Sequence, residues 1–212
     1  MAAEKIIHVY SDARIAEQNE TWKTFEFIDS IYTVEHVHAM GPNDYADTIR
    51  DNWGLGHDLI IVEQDIVATP DHIKRLISCH SSLCCFPYLV KSDRLDCYSI
   101  FNFTDHSKPD NWKTFDGARY IDRVKIETKP EYCGLSGFGL TKIGVNAQKL
   151  IDFPRLYDLD RWDIIDSWLS LRLYERIGNN RIFHIHYPVV KHNHSSENTG
   201  IGKARNSKLL IF

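Results

Sequence analysis

Asp58-Leu59-Ile60-Ile61-Val62-Glu63-Gln64-Asp65 is the stretch whose reading decides the fold. Four consecutive apolar residues, three of them β-branched, form a strand covered on both faces, as at the centre of a parallel sheet flanked by helices. The run stops abruptly at two carboxylates separated by one residue. Ligands in open α/β sheets bind outside the carboxyl ends of the strands, so Glu63 and Asp65 are expected where a substrate or a metal is received. In extended backbone, residues i and i+2 point to the same face, and two carboxylates placed so can grip a hard cation such as Mg²⁺ or Mn²⁺. A solvated loop opened by two acids is the plainer alternative.

Upstream, Lys5 to Tyr10 reads as a first strand, followed by the polar Ser11-Asp12-Ala13-Arg14 and a helix with Trp22, Phe25 and either Phe27 or Ile28 on its apolar side. Tyr32 to Val37 alternates as a second strand, and Asp44 to Trp53 forms a helix closed by Gly54 and Gly56. Downstream, Thr69-Pro70-Asp71 carries an N-cap, an N1 proline and a first-turn acid. Leu83 to Val90 is the next strand. The order βαβαβαβ, with right-handed crossovers, predicts a mostly parallel sheet with helices on both faces.

The pattern loosens from Lys91 to Lys129, where loops and short strands are expected and Arg119 to Ile126 alone reads as strand. Cys133 to Thr141 holds Gly134, Gly137 and Gly139 within six positions. Such backbone can expose N–H groups to a ligand, or it can be an ordinary glycine-rich turn. It does not have the order or position of a dinucleotide fingerprint. Asp160 to Gly178 is the clearest helix, with Asp160 as N-cap and Ile165, Leu169, Leu173 and Ile177 at helical spacing. Asp163 and Asp166 share a face near its positive end, where carboxylates stay ionised, and Asp163 reads first as an acid complementing the helix dipole. A last strand, Ile182 to Val190, runs into His192 and His194 and contains the earlier pair His184 and His186. Imidazoles so spaced are candidate metal ligands. Lys203 and Arg205 in the C-terminal stretch are candidate phosphate-seeking cations, and residues 195–212 are expected to form a flexible tail.

The 212 residues fit a single domain, and 43% apolar content supplies a sizeable core. A net charge of -4 argues against nucleic acid and anionic membranes as partners. No apolar run approaches bilayer length, no secretory leader is evident, and a cytoplasmic location is expected. Five cysteines with no C-x-x-C pair read as reduced thiols, with Cys84 and Cys85 as small core hydrophobes.

Taken together, these pieces resemble the GT-A-fold glycosyltransferases, which move a sugar from a nucleotide-diphosphate sugar to a hydroxyl acceptor. The resemblance rests on the βαβα start, the acid-x-acid of Glu63-Gln64-Asp65, the glycine-rich segment before a helix, and Asp166-x-x-Leu169-x-x-Arg172-Leu173 near Gly178. Glu63 stands where the family motif has Asp, and Ile165 where it often has Glu.

The resemblance implies an α/β fold of GT-A type, a single domain with a mixed, mostly parallel sheet flanked by helices. Residues 1–90 would form the nucleotide-binding half and 91–194 the acceptor and catalytic half. It further implies Mn²⁺ or Mg²⁺ held by Glu63, Asp65 and His192 or His194, and Asp166, with Asp163 beside it, as catalytic carboxylate in an inverting transfer. Donor contacts would come from Tyr10, Ser11, Asp12, Gln64, Gly134, Gly137, Lys203 and Arg205. The acceptor would be a glycan, protein or lipid-linked hydroxyl. A nucleotidyltransferase, a metal-dependent phosphoesterase and an inactive nucleotide-sugar-binding module are the competing readings.

Overall fold

The computed structural model describes residues 3–12, 15–40, 43–92, 95–105, 112–114, 117, 119–152 and 165–193. Asp160, Asp163, His194, Lys203, Arg205 and the 195–212 tail lie outside them.

The opening of the chain folds as its pattern predicts. Strand β1 (Ala3–Tyr10) leads to α1 (Ile15–Ile28), which buries Phe25 and Ile28 and leaves Phe27 exposed. Strand β2 (Val34–His38) and helix α2 (Asp44–Asp51) follow, and Gly54 and Gly56 after α2 take positive φ, which glycine adopts without steric cost. The anchor becomes β3 (His57–Glu63), with Leu59 to Val62 fully buried. After the short β4 (Ile66–Val67), Thr69 caps α3 (Pro70–Ser78), its hydroxyl accepting from the His72 N–H.

Beyond this point the order departs from a simple βα alternation. Pro87, which cannot donate to a ladder, ends β5 (Leu83–Cys85) early, and β6 (Leu89–Ser92) turns away to pair with β7 (Leu95–Tyr98). Strands β8 (Ile100–Thr104), β9 (Trp112–Lys113) and β10 (Tyr120–Arg123) form a second, antiparallel sheet that also takes in β12 (Leu135–Ser136). Among the described residues of 91–129 short strands do occur, but beyond the expected Arg119 to Ile126, which yields only β10: β7, β8 and β9 are strands too, and Ile100, Phe101 and Phe103 of β8 are core residues. The glycine-rich segment supplies β11 (Tyr132–Cys133), β12 and then β13 (Leu140–Ile143), followed by the single-turn α4 (Val145–Gln148). Helix α5 (Ile165–Ile177) stops at Gly178, whose φ is +77°. Of the expected last strand, Ile182 to Val190, only β14 (Phe183–Ile185) forms, and β15 (Lys191–His192) follows beyond it.

The central sheet has seven strands in the order β11-β14-β5-β13-β3-β1-β2. Strands β1, β2, β3, β5 and β14 run one way, while β13 and β11 run the other. This is a mixed, mostly parallel α/β sheet. The antiparallel strand at its centre is β13, which lies between β3 and β5 with all four residues buried. Its Gly139 carbonyl accepts the Glu63 N–H at 2.9 Å, so the end of the anchor strand is tied to the glycine-rich segment.

Candidate functional site

The parallel strands β1 and β3 are neighbours in register Val9↔Glu63, which sets the loop after β1 beside the loop after β3. Gln64 locks the two together: its Oε1 accepts from the Ser11 N–H (2.8 Å), the Ser11 hydroxyl (2.9 Å) and the Gln18 amide (3.1 Å). Ser11 and Gln64 are therefore joined to each other, with Gln64's oxygen already serving three donors. Tyr10 stacks on His38, and the exposed Asp12 carboxylate meets the same imidazole at 2.9 Å.

Glu63 and Asp65 do not share a face. Strand β3 ends at Glu63 and the chain turns before β4, so the alternation that would align i with i+2 no longer applies. Glu63 points to Tyr45 of α2, whose hydroxyl donates to its Oε1 at 2.8 Å. Asp65 is buried and faces His192, with Oδ2 and Nε2 3.2 Å apart. The short antiparallel ladder β4–β15 produces this pairing by setting His192 opposite Ile66, the residue after Asp65, and the Asn193 N–H donates to the Asp65 carbonyl at 2.8 Å. His192 Nδ1 lies 3.0 Å from the Leu89 carbonyl. Carrying its proton there, the ring turns Nε2 toward the carboxylate, the second-layer arrangement that orients histidine ligands in metal sites.

Asp166, in the first turn of α5, joins this group. Its carboxylate is close enough to disfavour ionisation of Glu63, Tyr45 and Tyr88. Burial, with the charges of Asp65 and Asp166, lifts Glu63 to about 7, against the pull of the Tyr45 hydrogen bond. Burial, with the charges of Glu63 and Asp166, pushes both tyrosines well above their usual value, so they stay protonated. Burial disfavours the His192 cation, but the hydrogen bond to Asp65 and its charge outweigh that, and the histidine is raised. A divalent cation bound there would displace any proton shared by His192 and Asp65.

The donor set suits a hard-to-borderline divalent ion, since it offers one carboxylate and one neutral imidazole. Glu63 is not a third member. Among the described residues, the trio of His, Cys, Asp or Glu whose ligand atoms lie within 4.8 Å of one another is Cys79, His184 and His186, elsewhere on the sheet.

The glycine-rich segment closes against the protein itself. The Gly134 N–H is shared by the Phe101 carbonyl (2.9 Å) and the Asn102 side chain (3.0 Å), and the Gly137 N–H donates to the Ser99 carbonyl (2.8 Å). A Cβ on Gly137 or Gly139 would meet the Tyr88 side chain at 2.4 Å. Gly134 and Gly137 thus correct the expectation of a ligand loop: they admit Tyr88 and Asn180, and their amides are already used.

Tyr45 and Tyr88 are the site residues that sequence reading missed. Tyr88 had a usable signal, since Pro87 marks the carboxyl end of β5 and the following residue falls on the ligand edge. Tyr45 had none, being one of several buried residues on α2.

Comparison with protein-family models gives no match, and comparison with curated proteins gives no significant match. No helix among the described residues is long and apolar enough to cross a membrane.

Proposed function

We propose that this chain is a metal-dependent glycosyltransferase of GT-A type, transferring a sugar from a nucleotide-diphosphate donor to a hydroxyl acceptor. The observation that carries the reading is the gathering of Asp65, His192, Glu63 and Asp166 at the carboxyl edge of a mixed α/β sheet. Three segments far apart in sequence, 63–65, 166 and 192, supply one acidic, partly water-excluded group, and structural ion pairing alone needs only Asp65 and His192.

In this reading Asp65 and His192 would hold Mn²⁺ or Mg²⁺, which would supply the positive charge that a diphosphate leaving group needs. Asp166 accepts the proton of the attacking acceptor hydroxyl, its place in the first turn of α5 favouring the ionised form until then. A carboxylate acting as base on the acceptor corresponds to single displacement with inversion. Glu63, hydrogen-bonded to Tyr45, sits beside this base and tunes the charge around it. Ser11, tied to Gln64, and Tyr10, stacked on His38, form the wall against which the donor base and ribose would lie.

Thermal shift of the protein with UDP, GDP and other nucleoside diphosphates, each with and without Mn²⁺, tests the donor site. A nucleotide at one hundred times its Kd stabilises by about 2.7 kcal/mol, a rise of roughly 5 to 10 °C for a domain of this size. The expected result is a rise that needs both one nucleotide and Mn²⁺ and disappears in Asp65→Asn. No rise with any pair would remove the reading, and a rise without sugar transfer or donor hydrolysis would leave a binding module.

A further inference from the structure

A second cluster of ligating groups lies on the other side of β13 from the anchor strand. Strand β14 pairs in parallel with β5, His184 opposite Cys84, and alternation sets His184 and His186 on one face while Ile185 is buried on the other. Cys79, the residue that ends α3, comes down over that face. Its sulfur lies 3.6 Å from His184 Nδ1, and the sulfur and one nitrogen of each imidazole lie within 4.8 Å of one another. The two rings stand nearly perpendicular, at 84°.

We infer that Cys79, His184 and His186 form a zinc-type metal site that ties the end of α3 to β14. Thiolate plus imidazole is the donor set of tetrahedral Zn²⁺, with a fourth position left for solvent or another ligand. The geometry agrees with this. Bonds of about 2.3 Å to sulfur and about 2.0–2.1 Å to nitrogen at a tetrahedral angle set S and N about 3.5 Å apart, close to the observed Cys79–His184 separation. The His186 nitrogen lies within 4.8 Å of both.

A thiol–imidazole hydrogen bond accounts for the 3.6 Å approach of Cys79 to His184, and His186 also faces the Cys79 sulfur. Among the described residues the buried His186 Nε2 has no hydrogen-bond partner, and a buried polar atom left so is costly. The surroundings are those of a metal site rather than a solvated patch. Phe86 stacks on His186, Tyr132 packs edgewise on His184, and the buried Cys84 thiol donates toward the Cys79 sulfur, a second-layer contact of the kind that steadies a ligating thiolate. Of the cations around the cluster, Lys142 is held by the Cys79 carbonyl (2.9 Å) and by Asp58 (3.4 Å), while Arg75 and Arg181 lie over the Phe86 and Tyr132 rings. The donor chemistry differs from that at Asp65 and His192, so this inference stands whether or not the chain transfers sugars.

The test is titration of chelator-treated full-length protein with Co²⁺, followed by Zn²⁺ competition. The expected signal is a thiolate-to-cobalt charge-transfer band saturating at one equivalent and displaced by Zn²⁺. It should vanish in Cys79→Ser, weaken at least tenfold in affinity in His186→Ala, and persist in Asp65→Asn. Zn²⁺ should also protect Cys79 of the unmodified protein from alkylation, a readout that does not depend on any variant folding. Absence of a thiolate band and of Zn²⁺ protection would overturn the inference, as would a band that survives Cys79→Ser.

Discussion

The two clusters of this sheet differ in how their ligands are drawn together and in what those ligands are. At the end of β3, Asp65 and His192 offer an oxygen and a nitrogen, ringed by the acids Glu63 and Asp166. Beyond β13, Cys79, His184 and His186 offer sulfur and nitrogen beneath aromatic rings. The first would favour hard ions that bridge phosphates, the second borderline ions that bind tightly and stay. On the two proposals together, one sheet would keep two kinds of cation apart by chemistry rather than by distance.

The sharpest way to separate the clusters is through the group that only one of them has. Asp166→Asn removes the proposed base while keeping its shape, and should lower sugar transfer by about 10²–10⁴-fold, or roughly 3–5 kcal/mol of barrier. The nucleotide-dependent and Mn²⁺-dependent thermal shift should be unchanged in the same variant. Full turnover in Asp166→Asn would move the base elsewhere. Next in size is a crossed pair. Asp65→Asn should erase the roughly 5–10 °C shift described above, while Cys79→Ser leaves it intact. If Cys79→Ser erased it as well, the two clusters would be one coupled unit.

The comparison also explains what could be read in advance. The anchor strand was legible because burial on both faces writes a continuous apolar run, and its acids follow directly in sequence. The helix starts were legible from local chemistry, Thr69 and Pro70 above all. Strand β13 was not, because a four-residue Leu-Thr-Lys-Ile segment carries no burial signature, and its place between β3 and β5 depends on pairing across dozens of residues. His192 was legible as a candidate because it follows a strand, but its partnership with Asp65 comes from the β4–β15 ladder, two residues on each side. The soft cluster joins position 79 to 184 and 186, a juxtaposition that no local pattern encodes.

A smaller effect probes how firmly the oxygen cluster is walled. The constraint on Gly137 and Gly139 is contact with Tyr88, since neither is among the glycines of positive φ. Gly139→Ala would drive a Cβ into the ring, and Gly137→Ala would drive one into the hydroxyl. Each should cost about 1–3 kcal/mol, seen as a fall in Tm of about 2–4 °C per kcal/mol. Tyr88→Phe deletes the hydroxyl, so it should rescue Gly137→Ala but not Gly139→Ala. Equal rescue of both would mean that the ring is not fixed against the segment.

The smallest effect concerns the charge of Glu63 and has a definite sign. Its carboxyl is raised from 4.5 to about 7 in the folded protein, so between those values the native state holds a proton that the unfolded chain has released. Stability from this group is therefore complete below about pH 4.5, declines as pH rises, and is fully lost above about pH 7. Glu63→Gln keeps an acceptor for the Tyr45 hydroxyl and removes the ionisation. Because Glu63 is only partly shielded from water, the penalty it relieves is set at about 1–2 kcal/mol rather than the full value of the shift. In chelator, denaturant melts of Glu63→Gln should match the unsubstituted protein at pH 4.5 and exceed it by that amount at pH 8. A gain of the same size at both pH values would mean that Glu63 is held by shape alone, and that the acids at the end of β3 do not act on one another's charge.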